Sequence, residues 1–105
     1  MIPSRKTVVY ISGKYTDTDK EKEGSNIIKA ALVAKKYWRK GFTVICPHTN
    51  TMYVSGVDYE GFMAGDIEIL SRCDVIVMMT NWKESKGAIR EYNYAVKHNI
   101  PVIFE

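Results

Sequence analysis

The sequence has little of what would place it in a membrane, a metal centre or an oxidising compartment. No uninterrupted apolar run is longer than Val75–Met79, far below the roughly 20 residues of a membrane-spanning helix. The N-terminus lacks the long apolar segment of a signal peptide, so a cytoplasmic protein with no membrane partner is expected. Its two cysteines, Cys46 and Cys73, have no CxxC spacing and fit buried, reduced thiols. With only His48 and His98 there is no multi-histidine cluster, and neither a metal nor a cofactor is expected. No GxGxxG follows the first strand-like run, which argues against a flavin or nicotinamide oxidoreductase. The formal charge of +3 is interleaved with acids and too dispersed to argue for duplex nucleic acid.

What is present reads as one α/β domain over residues 1–105. Thr7–Ser12 is a β-branched run ending in Ser-Gly, hence a buried first strand that opens into a loop. The charged stretch Asp17–Glu23 reads as solvated loop. From Ser25, the residues Ile27, Ile28, Ala31, Leu32, Ala34 and Trp38 have helical spacing, with Gly41 as the stop. Phe42–Cys46 is a second strand broken by Pro47, and His48–Val57 a polar loop. Tyr59, Phe62, Met63, Ile67 and Leu70 give a second helical stripe, followed by a strand at Val75–Met79. A loop at Asn81–Lys86, a third helix at Gly87–Lys97 and a last strand at Pro101–Phe104 complete the order β-α-β-α-β-α-β. That order predicts a Rossmann-like or flavodoxin-like three-layer sandwich with a four- to five-stranded, mainly parallel sheet. Ligands in such folds bind beyond the carboxyl ends of the strands, so the loops after Ser12, Cys46 and Met79 should meet in one crevice.

Two carboxylates interrupt otherwise apolar helix faces near that crevice. Asp66 shares a side with Phe62, Met63, Ile67 and Leu70, and Glu91 with Ala88, Tyr92 and Ala95. Partial burial of a carboxylate is costly unless it is paired or hydrogen-bonded. Either acid alone can be a helix-terminal charge, worth roughly 0.3–1 kcal/mol against the helix dipole; two converging on one cleft point to catalysis. Ser85, Gly87 and Ala88 open the third helix with a hydroxyl and small residues that admit a phosphate or ribose, although Ser85 is equally an N-cap. Ser12-Gly13-Lys14 is ambiguous in the same way: a turn glycine, or a phosphate-suited hydroxyl and cation. Tyr10, Tyr15, Tyr53, Tyr59 and Trp82 offer aromatic faces for a base or for the core. His48 is a candidate polar contact in the second loop.

Together Tyr10-Ile11-Ser12-Gly13-Lys14-Tyr15, Gly65-Asp66-Ile67, Cys73-Asp74-Val75-Ile76-Val77 and Ser85-x-Gly87-Ala88-x-x-Glu91 resemble the nucleoside 2-deoxyribosyltransferase superfamily over almost the whole chain. The resemblance is greatest to the small deoxyribosyltransferase-like proteins of bacteria and phages, which share the Cys46-Pro47-His48 and Asn81-Trp82 features. It implies that Glu91 is a nucleophile attacking the anomeric carbon of a nucleoside or nucleotide, that Asp66 assists the base, and that Tyr10 or Tyr15 holds the nucleophile. Taken with the residues themselves, this makes Ser12, Gly13, Lys14, His48, Asn81, Ser85, Gly87 and Ala88 the candidate substrate contacts. A serine at position 85, where nucleoside transferases tend to carry aspartate and the related 5′-monophosphate N-glycosidases serine, leans toward a phosphorylated ligand. The larger enzymes complete their site from a neighbouring subunit, which implies a homodimer or larger homo-oligomer and a missing wall supplied from elsewhere, such as a partner's His48–Val57 loop. The alternative function is a non-catalytic module that sequesters or senses a nucleotide in the same crevice.

Overall fold

The computed structural model describes residues 2–105. Four strands, β1 (Val8–Ser12), β2 (Thr43–Ile45), β3 (Val75–Met78) and β4 (Val102–Phe104), form one sheet in the order β2-β1-β3-β4. Every pairing is parallel. The chain steps outward from β1 to β2, then crosses back to β3 on the other side of β1. That reversal opens a crevice beyond the carboxyl ends of β1 and β3.

Strand alternation sorts the core into two layers. Val9 and Ile11 pack with Val75 and Val77 against Ala30, Ala34 and Tyr37 of α1 (Lys20–Arg39) on one face. Tyr10, Ile76 and Met78 meet Leu70 of α3 (Tyr59–Ser71) and Ala88 and Ala95 of α4 (Lys86–Lys97) on the other. The sandwich read from the sequence is thus the observed one, with four strands each parallel to its neighbours.

Several local expectations are corrected. Lys20–Glu23, read as loop, is the first turn of α1, because the Asp19 side chain caps it by accepting the Glu21 amide at 2.9 Å. The inward stripe of α1 is not the one marked by large aliphatics: Asn26, Ala30, Ala34 and Tyr37 are buried, whereas Ile28, Leu32 and Trp38 lie outside. Ala30 and Ala34 let the middle of the helix approach the sheet, and Tyr37 packs beside Phe42 near its end. The polar loop after β2 begins with a single helical turn, α2 (Pro47–Asn50), started by proline at its first position. A one-turn 3-10 helix, Trp82–Glu84, lies within the loop after β3. No helix among the described residues is long and apolar enough to cross a membrane.

The two central strands leave β1 room for glycine alone at its exit. A Cβ on Gly13 would sit 2.5 Å from Met79 Sδ and 2.8 Å from Met79 Cβ, while the Met79 amide donates to the Ser12 carbonyl at 2.8 Å. Gly13→Ala therefore forces apart the strand ends that frame the crevice. It is expected to cost about 1–3 kcal/mol, in the range of core overpacking. Thermal denaturation beside the parent chain measures this, and an unchanged melting temperature would contradict it.

Candidate functional site

Tyr10 and Ser12 are two residues apart on β1, so both project from the face that α4 covers. Glu91, in the second turn of α4, comes down between the small residues Ala88 and Ala95 and is 6% exposed. Its carboxylate is held at both oxygens. The Tyr10 hydroxyl donates to Oε2, and Ser12 Oγ donates to Oε1 at 2.7 Å. The choice left open between Tyr10 and Tyr15 is thereby decided geometrically: Tyr10 holds the carboxylate. Tyr15 stands instead at the wall of a cavity, edge-on to His48 with ring centroids 5.6 Å apart.

That cavity measures about 480 Å³, and the three loops after β1, β2 and β3 do meet in it. Gly13, Tyr15 and Thr16 come from the first loop; Pro47, His48, Thr51, Met52 and Val54 from the second. Glu84–Ala88 with Glu91 form the third side, and Tyr59, Phe62, Met63 and Asp66 of α3 close the fourth. Phe62 and the buried Met63, read from the sequence as members of an apolar helical stripe, also form apolar wall. Met52 and Val54, in a stretch read as a polar loop, belong to the same wall. Their hydrophobicity was visible in the sequence, but only the cavity tells a wall from a core.

The remaining candidates separate into those at the cavity and those behind it. Ser85 caps α4, its Oγ accepting the Ala88 amide at 3.1 Å, yet it still lines the cavity with Gly87 and Ala88. A side chain on Gly87 would come within 3.1 Å of Met63 Sδ, so glycine keeps α3 and α4 close there. Lys14 lies outside the wall: its ammonium sits 3.4 Å from Asp17 and 3.6 Å from Glu84. Asn81 also lies behind the wall, where Oδ1 accepts the Lys14 amide at 3.0 Å and ties the first loop to the third. His48 is buried, its Nε2 hydrogen-bonded to the Lys14 carbonyl at 3.0 Å, and burial lowers its pKa. Of the aromatics, Tyr59 lines the cavity; Tyr53 is exposed, and Trp82 packs on Tyr92 with centroids 4.7 Å apart. Cys46 and Cys73 are unpaired thiols, each with its pKa raised by burial. Among the described residues no group of three or more His, Cys, Asp or Glu is placed to hold a metal ion.

Residues 7–104 match the family model described as a domain of unknown function, DUF4406. The chain belongs to that family. Its fold is also that of a 2-deoxyribosyltransferase from Bacillus psychrosaccharolyticus, with a TM-score of 0.66 and 19% identity over 93% of this chain and 71% of that one. A 2-deoxyribosyltransferase from Leishmania mexicana superposes with a TM-score of 0.67 and 16% identity, over 93% of this chain and 63% of that one. The resemblance read from the sequence therefore holds at the level of fold. No curated protein matches the chain in sequence.

Electrostatics set this DUF4406 crevice apart from an ordinary cleft. Burial pushes the Glu91 carboxyl up to about 7, the Tyr10 and Ser12 donors acting against the rise and the charge of Asp66 adding to it. Burial raises Asp66 to about 6. Tyr10 is raised far above its ordinary value by burial and by the neighbouring Glu91, so it stays a neutral donor. A carboxyl whose pKa is higher in the folded than in the unfolded chain binds more protons when folded. Its contribution to stability is fully present below the unfolded value of 4.5 and is lost as the pH rises through about 7. Glu91→Gln is thus expected to melt above the parent near pH 8, by up to about 3 kcal/mol in stability, with the gap closing toward pH 4.5. Melting curves across that range check it, and a gap that does not depend on pH would refute the burial argument.

Proposed function

We propose that the chain cleaves the N-glycosidic bond of a nucleoside or nucleotide, or transfers its (deoxy)ribosyl group, with Glu91 as nucleophile. One observation carries the reading: a buried carboxylate held by Tyr10 and Ser12 at the wall of a cavity that a second carboxyl, Asp66, also lines. The fold shared with two proteins described as 2-deoxyribosyltransferases supports it.

The chemistry follows from the two environments. A Glu91 oxygen forms a bond to the anomeric carbon as the carbon–nitrogen bond breaks, and the bonding pair leaves with the base. Asp66, raised to about 6, keeps enough of its proton near neutrality to hand it to the departing nitrogen. Water, or a second base, then attacks the same carbon and gives its proton to Asp66, and the ester bond to Glu91 breaks to restore the carboxylate. Tyr10 and Ser12 occupy one acceptor site on each oxygen and orient the group without consuming its remaining lone pairs. Phe62, Met63 and Tyr59 form an apolar wall suited to the flat face of a base.

A 5′-monophosphate substrate would be met at the start of α4, where Ser85, Lys86 and Gly87 line the cavity at the helix N-terminus. Lys14, already engaged by two acids, is not part of this phosphate reading. A cytoplasmic homo-oligomer goes with the proposal, and Met52 and Val54, partly exposed while lining the cavity, are where a second copy would add a wall. The alternative, a nucleotide-binding module without turnover, draws on the raised pKa of Glu91, since a protonated carboxyl binds ligands but does not attack.

Release of free base from the common ribo- and deoxyribonucleosides and their monophosphates, followed by chromatography, tests the proposal. Glu91→Ala and Glu91→Gln are expected to lower release by at least about a thousandfold. Ligand-induced stabilisation with no base released by the parent would favour the binding module instead. The pH dependence of kcat/KM should be bell-shaped with its maximum between about 6 and about 7, because Glu91 must lose a proton and Asp66 must keep one. Asp66→Asn should remove the alkaline limb and leave a single rise set by Glu91 alone, shifting the acid limb upward from about 6 toward about 7; an unaltered profile would dismiss Asp66 as the acid.

A further inference from the structure

The outer face of α1 is not the polar surface that a solvent-facing helix ordinarily presents. Ile28 is 63% exposed, Leu32 59% and Trp38 43%. Ile28, Leu32, Lys35 and Arg39 recur at spacings of three and four, so they form a single stripe along the helix. Beside the stripe runs a groove between α1 and β2, an edge strand. Ala31, Ala34, Val44 and Cys46 line it, with Lys35, Trp38 and Arg39.

Its charge is predominantly positive. Gly24–Val57 contains Lys29, Lys35, Lys36, Arg39 and Lys40 but no aspartate or glutamate. Of these cations only Lys36 is ion-paired among the described residues, to Glu105 at 3.1 Å. The Arg5 guanidinium, 5.5 Å from the centroid of the Trp38 ring, adds a further positive charge. Charges that look interleaved with acids along the chain are thus gathered on one side of the molecule, where Glu105 pairs with Lys36 and leaves Lys35 and Arg39 without an ion pair among the described residues.

We propose that this face docks an acidic peptide segment of a partner protein, with apolar side chains entering the groove and carboxylates meeting Lys35 and Arg39. A second copy of the chain is a poor occupant, because a two-fold contact centred on the groove would set Lys35 and Arg39 against the same cations. A flat bilayer would reach the protruding Ile28 and Leu32 but leave the recessed floor empty. A nucleic acid strand would have a single aromatic to stack on and two aliphatic side chains in its path.

Fluorescence anisotropy of a short labelled peptide alternating Glu and Leu tests the assignment. The comparison probes are the same peptide with Lys for Glu, phosphatidylserine vesicles and oligothymidylate. The Glu/Leu peptide is expected to bind, to weaken with added salt, and to lose about tenfold or more in affinity in Leu32→Ser and in the Lys35→Glu, Arg39→Glu double variant. The Lys/Leu peptide should not bind. All three positions are on the surface, so the variants should keep the parent's melting temperature. If Leu32→Ser melts lower, the double variant decides the matter. Failure of the Glu/Leu peptide to bind, equal binding of the Lys/Leu peptide, or binding unmoved by the double variant would overturn the proposal. Tighter binding of vesicles or oligothymidylate, lost in the same variants, would assign the face to lipid or nucleic acid and overturn it equally.

Discussion

A carboxylate taken out of water between a helix and a sheet must have each oxygen met by a donor, and Glu91 is satisfied by hydroxyls that come from a single strand. The alternation of β1 makes this possible: Tyr10 and Ser12 share a face, one long enough to reach Oε2 and the other short enough to stop at Oε1. Ala88 and Ala95, a turn to either side of Glu91, keep α4 close to the sheet. Gly13 lets β1 and β3 end against each other. Ser85 fixes where α4 starts, and hence which of its residues faces β1. Each of these small residues serves the placement of one charge.

That placement works against stability. Burial raises both Glu91 and Asp66 toward neutrality, so the folded chain holds two acids whose ionisation the fold opposes. Structures tend to keep such opposition where chemistry or binding uses it. The apolar wall of α3 maintains it: Phe62 and Met63 lie at the cavity beside Asp66 and limit the water that would restore its ordinary pKa.

The reading of α1 shows how a helical pattern can mislead. Ile27, Ile28, Ala31, Leu32, Ala34 and Trp38 do repeat at helical spacing, and the helix is there. Yet close approach to the sheet selects Ala30 and Ala34 for the middle of the interior stripe, with Tyr37 packed beside Phe42 near its end, and Ile28 and Leu32 lie outside. Periodicity identifies a helix reliably, but its inward face depends on the distance to the layer beneath. On α4 the two agree, because Ala88, Glu91 and Ala95 are at once the pattern and the buried face.

The sequence by itself determined the order of elements, the parallel α/β class and the crevice where three loops meet, since these follow from hydrophobic period and from the handedness of crossover connections. It also singled out Glu91 and Asp66, because an acid on an apolar helix face is anomalous on sequence grounds alone. Only the tertiary structure decided that Tyr10 rather than Tyr15 holds Glu91, and that Lys14 is occupied by Asp17 and Glu84 instead of facing the cavity. Both depend on which way a side chain turns where elements distant in sequence come together, and no local pattern encodes that direction.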